Sequence, residues 1–441
     1  MRLRHWTRLA VVLATLAIAA GCTIGSGRSQ PDRGFGRGST PSREDVESVV
    51  RDALADVERY WTSTYPRLSG GEAFQPLRGG SKPYTRRDPP PPCGEQPVQY
   101  QPNAFYCPDG DFIAWDAELL VPRLQADFGA LLVAVVMAHE YGHAIQARLN
   151  LLSQPTIVAE QQADCFAGGW IGDVSAGHSR RFANLAPDEL DRTLGGILML
   201  RDQPGVAAQA PQAHGNAFDR VRALQEGVEQ GVSRCQAYRA GNLPVTEVPF
   251  TSARDAATGG DLPYDQAVTL LSEDIQSFWT RVFPQLAGRP WETLRVRTFD
   301  PADPPRCEGR QQSDKAAFSC TAEAYVAFDG RELGPALHER IGDNAVGMLL
   351  AGLFAQAAQE RRGRSIDGRE GQLAVDCLAG WWMYDVLHRG NDTRIRLSPG
   401  DLDEAVAALL AFGRSGAADR PTAFDRIAAF RNGVLQGQAA C

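Results

Sequence analysis

Four cysteines recur in the same order in the two halves of this chain, and that recurrence constrains its architecture more than any other feature. Cys93 and Cys107 are answered by Cys307 and Cys320 at offsets of 214 and 213, and Asp164-Cys165 by Asp376-Cys377 at 212. Residues 217–235 align without a gap on 423–441, with 10 of 19 positions identical at an offset of 206, which brings Cys235 onto Cys441. Upstream, Val50, Val57 and Trp61 return as Val268, Ile275 and Trp279 at an offset of 218. The offset shrinks in small steps, as loop deletions in one duplicated domain would produce. Similarity of composition alone would not return four cysteines in sequence. The expected organisation is a leader over 1–21, a tether over 22–42, a domain over 43–245, a linker over 246–262 rich in Pro, Gly, Ser and Thr, and a second, homologous domain over 263–441.

At 441 residues the chain is long enough for two cores. Ser42, with Asp45 three residues on, opens an amphipathic helix whose Val46, Val49, Val50, Ala53, Leu54, Val57 and Trp61 fall on one stripe. Helical periods continue at 130–149, 158–174, 188–201 and 217–232, with strand patterns around 97–116. Each domain is therefore expected to be α+β and helix-rich, its main helix packed on a small sheet. The alternating segment Asp109–Asp116 reads as a strand whose free edge can bind a peptide backbone, or as an ordinary core hairpin. A formal charge of −8 and a pI near 5.5 remove the basic footprint of a nucleic-acid binder.

Arg2, Arg4 and Arg8 flank an apolar run from Leu9 to Ala20, too short for an ordinary membrane span and matching an export signal. It ends in Ala19-Ala20-Gly21-Cys22, which resembles a bacterial lipobox and makes Cys22 the expected lipidation site. Residues 23–42 then form a flexible tether of roughly 25 Å root-mean-square reach. The expected location is the outer face of the cell membrane, held by the lipid. Setting Cys22 aside leaves eight cysteines, four per domain, in an oxidising compartment. Proximity and the repeat favour Cys93–Cys107, Cys165–Cys235, Cys307–Cys320 and Cys377–Cys441, among three connectivities for each domain.

The chemistry is concentrated in His139-Glu140-Tyr141-Gly142-His143, inside the helical stretch 131–149. One turn separates the two histidines, so both imidazoles leave one helix face and can share a Zn²⁺ while Glu140 reaches the water on the metal. The alternative, two core histidines and a carboxylate among Val135, Val136 and Met137, would bury three polar groups without partners. Glu160 is the candidate third ligand, with Asp164 one turn on to accept the second ring N–H of a ligating histidine. His178 and His214 are rival third ligands, neither accompanied by a carboxylate at helical spacing.

Taken together, His139-Glu140-x-Gly142-His143-x-x-Gln146, then Glu160-x-Gln162-Ala163-Asp164-Cys165-x-Ala167-Gly168-x-Trp170, then His214-Gly215 leading to Arg220 and Cys235, resemble the neutral zinc metallopeptidases, bacterial proteins with a gluzincin-type site. The resemblance covers most of residues 43–240. It implies a zinc peptidase with His139, His143 and Glu160 as ligands and Glu140 as base, and it supplies no substrate beyond a peptide or protein of the cell envelope. The second copy and the lipid anchor depart from the simplest family pattern and look like an actinobacterial envelope variant.

The second copy serves as an internal control. It places Gly352, Leu353, Gln356 and Gln372 where His139, Glu140, His143 and Glu160 stand, while Asp376, Trp382 and the cysteines remain. Scaffold is shared and chemistry is not, so one zinc per chain is expected, in the first domain. His214 is answered by Arg420, which nominates it as an oxyanion stabiliser, with a loop histidine as the alternative. A different class stays open: an envelope lipoprotein whose two domains are protein-binding platforms, or a second domain that docks on the first to inhibit it or present substrate.

Overall fold

The computed structural model describes residues 21–23, 41–95, 98–182, 185–207, 210, 213–390, 395–412 and 420–441. Most of the expected leader, residues 1–20, and the tether from 24 to 40 lie outside the described residues. The fold is α+β, as expected, and helix-rich. In the first half it runs β1 (Gly21–Thr23), α1 (Arg43–Leu68), β2 (Gly80–Tyr84), β3 (Asn103–Cys107), β4 (Phe112–Asp116), α2 (Leu120–Phe128), α3 (Ala130–Arg148), α4 (Thr156–Ser175), α5 (Pro187–Met199), α6 (Ala217–Gln230) and α7 (Val232–Gln236). After α8 (Ala253–Thr258) come α9 (Tyr264–Ala287), β5 (Arg295–Phe299), β6 (Arg306–Cys307), β7 (Arg310–Gln311), β8 (Ala317–Cys320), β9 (Tyr325–Asp329), α10 (Leu333–Arg340), α11 (Asp343–Arg361), α12 (Gly368–His388), α13 (Asp401–Phe412) and α14 (Ala423–Gln436). Among the described residues no helix is long and apolar enough to cross a membrane.

Strand directions repeat between the halves. β2 runs parallel to β4 and β3 antiparallel to it, just as β5 runs parallel to β9 and β8 antiparallel to it. In the first sheet the order is β1-β3-β4-β2, with Cys22 paired to Ala104. This places Phe112–Asp116 in the interior of the sheet, so the peptide-binding edge expected from Asp109–Asp116 does not exist there. Its second side is covered by Gly80–Tyr84, a strand the sequence reading did not anticipate.

Helix α1 begins as the sequence requires: the Ser42 hydroxyl accepts the Asp45 N–H, the Asp45 carboxylate accepts the Ser42 N–H, and the stripe from Val46 to Trp61 is buried except for the half-buried Val49. The indole N–H of Trp170 donates to Asp56 at 2.9 Å, and in the second half that of Trp382 donates to Asp274 at 2.8 Å. The four cysteine pairs are joined as Cys93–Cys107, Cys165–Cys235, Cys307–Cys320 and Cys377–Cys441. One apolar core runs through both halves, from Val46 to Val434.

The closest helix contact in each half is made through glycines. A Cβ on Gly168 of α4 would lie 2.0 Å from the Leu224 carbonyl oxygen, and one on Gly227 of α6 would lie 2.0 Å from that of Cys165. Gly380 and Gly433 make the same approach between α12 and α14, at 2.2 Å and 2.1 Å. Backbone cannot retreat from such contacts as a side chain can. Gly227→Ala is therefore expected to cost at least about 1–3 kcal/mol by forcing α6 off α4, measured as a lowered urea midpoint, whereas Gly352→Ala, with open space around it, should be neutral or slightly stabilising.

Candidate metal centre

Helix α3 is buried without a break from Leu131 to Gln146, so its histidines and glutamate stand inside the protein. Helix α4 crosses it closely at Gly142, where a Cβ would come within 2.9 Å of the Ala163 Cα. That approach brings Glu160 of α4 against both rings. The Nε2 atom of His139 lies 3.2 Å from Glu160 Oε2, and Nε2 of His143 lies 3.4 Å from Oε1. The two rings stand nearly perpendicular at 88°, centroids 4.9 Å apart. Together they form a buried His139, His143, Glu160 group with its ligand atoms within 4.8 Å of one another.

Hydrogen bonds on the far side of each ring fix its tautomer. His139 Nδ1 meets Asp164 Oδ1 at 2.7 Å, and the same carboxylate accepts two bonds of 2.9 Å from the Arg220 guanidinium, so the ring nitrogen must be the donor. His143 Nδ1 meets Gln146 Oε1 at 2.9 Å, and the Gln146 amide group donates to the Ala159 carbonyl at 2.6 Å. In both neutral rings Nε2 then carries a lone pair facing a carboxylate oxygen. Lone pair against lone pair at such distances is repulsive in a buried site, and a cation between them removes the repulsion. The residues therefore fit a metal ion. His143 Nε2 and both Glu160 oxygens are buried without a hydrogen-bond partner, which fits the same reading.

Glu140 leaves the helix beside this group. Its Oε2 accepts the Tyr106 N–H of β3 at 2.9 Å, while Oε1 is buried without a hydrogen bond. Burial raises the Glu140 carboxyl above its ordinary range, against the opposing charge of His139, His143 and His214. His214 stands on the loop before α6, its N–H donating to Asp202 at 2.7 Å, its Nδ1 3.4 Å from the same carboxylate and its Nε2 buried without a partner. His178, the other rival ligand, is 64% exposed on its side chain and bonded to Asp173; it is not part of the group.

The carboxylate–guanidinium pair persists where the histidines are gone. Asp376 accepts from Arg426 twice at 2.8 Å, as Asp164 does from Arg220. Burial raises Asp376 against that guanidinium. At Asp164 burial is outweighed by Arg220 and His139, and the carboxyl falls to about 2. Leu353 is buried at the position that corresponds to Glu140. A second acidic convergence, Asp261, Asp343 and Glu404, was not foreseen; it offers only oxygens, two of which accept the N–H groups of Leu262 and Asn344.

Of four supporting groups, sequence reasoning quoted Gln146 and Arg220 in the family motif without giving them a role, and missed the other two. Gln146 carried a signal, since it lies three residues after His143 on the same helix face. Arg220 carried another, because Ala217-Phe-Asp-Arg220 returns as Ala423-Phe-Asp-Arg426. The Tyr106 backbone donor and the Asp202 acceptor leave no trace in a single sequence.

A sequence model of the family described as "putative neutral zinc metallopeptidase" matches residues 15–238, just over half of the chain. The chain belongs to this family. Uncharacterized proteins of Mycobacterium bovis and of two strains of Mycobacterium tuberculosis are each 32% identical over 91 residues, which covers 18% of this chain and 30% of each relative. The chain thus spans less than a third of the length of the curated relatives it matches. No solved structure matches it.

Removing the guanidinium that supports Asp164 should be costly. Arg220→Met is expected to destabilise the fold by about 3–5 kcal/mol, because it strands a buried carboxylate; chemical denaturation of the mutant against the parent measures it, and a change below 1 kcal/mol would contradict the assigned partnership.

Proposed function

We propose that this protein is a membrane-anchored, extracytoplasmic zinc metallopeptidase that hydrolyses peptide bonds of cell-envelope substrates. The observation that carries the reading is the convergence of His139, His143 and Glu160 on one buried point, with Glu140 beside it. His139 and His143 would hold zinc through Nε2, and Glu160 through a carboxylate oxygen. When bound, zinc polarises the scissile carbonyl and lowers the pKa of a coordinated water toward 7.

The remaining work falls to the chain's own groups. Glu140 is fixed at Oε2 by the Tyr106 N–H, which leaves Oε1 to take a proton from the attacking water and return it to the leaving amine. Burial, which raises its proton affinity, favours uptake of that proton. Asp164 and Gln146 keep both imidazoles in the tautomer that presents Nε2. His214, whose Nδ1 faces the Asp202 carboxylate, would donate from Nε2 as the imidazolium to the oxyanion that develops on the substrate carbonyl.

Anchoring rests on the leader sequence and on Cys22 as lipid acceptor. The four disulfides support export, because such bonds persist in oxidising compartments. Glu140→Gln is expected to lower turnover of quenched fluorescent peptides by about 10²–10⁴-fold, with zinc content by mass spectrometry unchanged. Undiminished turnover in that variant would remove the general-base role. A parent protein that is metal-free and inert would favour the binding-platform reading instead.

A further inference from the structure

We propose that the second half, although stripped of metal ligands, is a working part of the first half's metal centre, and that Asp403 is the positioning residue through which it acts. The inference rests on reading the first half as a zinc site.

The two halves meet through a reciprocal exchange of helix caps. Asp403, in the first turn of α13, accepts the N–H of Phe218 at the start of α6 at 2.9 Å. Asp191, on α5 of the first half, accepts the N–H groups of Ala423 and Phe424 at the start of α14, at 3.2 Å and 3.1 Å. Asp191 and Asp403 differ by 212 residues, the offset that relates Asp164 to Asp376; Phe218 and Phe424 differ by 206, the offset of their own segment. Corresponding groups thus cap each other's helices across the junction. Gln225 and Arg431, also 206 apart, contact each other directly: Arg431 donates to the Gln225 side-chain oxygen at 2.9 Å. Such self-complementary pairing is the pattern of a two-fold interface, here inside one chain. It also supports the reading of the chain as a duplicated domain.

What makes the exchange unequal is the load carried by the first-half helix. Two residues after the capped Phe218, Arg220 grips Asp164, which orients His139. Arg220 also donates to the Leu200 carbonyl at 2.8 Å. The other oxygen of Asp403 lies 3.0 Å from Arg201 Nε, between Leu200 and Asp202, and Asp202 anchors His214. One carboxylate of the second half therefore ties down both segments that support the centre from behind: the start of α6 and the 200–202 stretch. Its counterpart Asp191 caps α14, whose Arg426 holds an Asp376 that faces no histidine ligand. A cavity of about 270 Å³ at the same junction, lined by Asp202, Gly215, Leu402 and Asp403 among others, shows that both halves also wall the space beside the residue that anchors His214.

The symmetry supplies its own control. In the full chain, Asp403→Ala and Asp191→Ala each remove one cap across the junction, and both are expected to lower the melting temperature. Only Asp403→Ala should weaken zinc affinity, by about tenfold or more in competition with a chelator, and lower kcat with little change in KM. Asp191→Ala should leave both within twofold. If Asp403→Ala fails to fold, Asp403→Asn, which keeps an acceptor for Phe218 but loses the charge facing Arg201, is expected to weaken zinc about threefold or more. Equal effects of the Asp403 and Asp191 variants on zinc affinity, or none from either, would overturn the proposal. A parent protein that binds no zinc would instead overturn the reading on which it rests.

Discussion

The first half is arranged around two imidazole nitrogens and one carboxylate held against one another in a buried site. His139 and His143 cannot turn away, because Asp164 and Gln146 hold their far nitrogens, and Glu160 cannot withdraw from a fully buried helix face. In the absence of a cation the arrangement sets lone pairs against a negative charge at 3.2 and 3.4 Å. Burial makes that mismatch expensive. The same burial makes the group a strong binder once a divalent ion arrives, since the ligands are already oriented and need little reordering. Stability has been spent here on a site.

The scaffold that holds this arrangement is built from close backbone contacts. Gly142 lets α4 approach α3, and Gly168 with Gly227 let α6 approach α4, so three helices stack tightly enough to chain Arg220 to Asp164 to His139. The Cys165–Cys235 bond joins α4 to the short helix after α6 and closes a loop of 70 residues around the same stack. The second half repeats the stack with Gly380, Gly433 and Cys377–Cys441, yet carries no ligands at its centre. A close-packed helix stack with an internal carboxylate–guanidinium pair is therefore common to both halves. The first half adds the chemistry to it.

Much of this was legible in the sequence because it depends on local spacing. HExxH gives two rings on one face, and Glu160 with Asp164 gives two carboxylates one turn apart. Proximity and the repeat favoured, among three connectivities for each half, the cysteine pairing that the structure has. What could not be read depends on the third dimension. Gly80–Tyr84 carries no strand pattern that the sequence reading picked out, yet its pairing with β4 turns Phe112–Asp116 into an interior strand. The Tyr106 N–H on Glu140 is a backbone group with no residue identity to detect. The crossed caps of Asp191 and Asp403 needed the relative placement of the halves, although both residues sat in plain register with the repeat.

The central claim is that a zinc ion sits between His139, His143 and Glu160, and anomalous scattering at the zinc absorption edge from crystals of the protein tests it most directly. The account predicts one strong peak about 2.0–2.1 Å from both Nε2 atoms and within similar reach of a Glu160 oxygen. No peak at that point in zinc-supplemented crystals, with Glu160 instead bonded directly to protonated imidazoles, would contradict it.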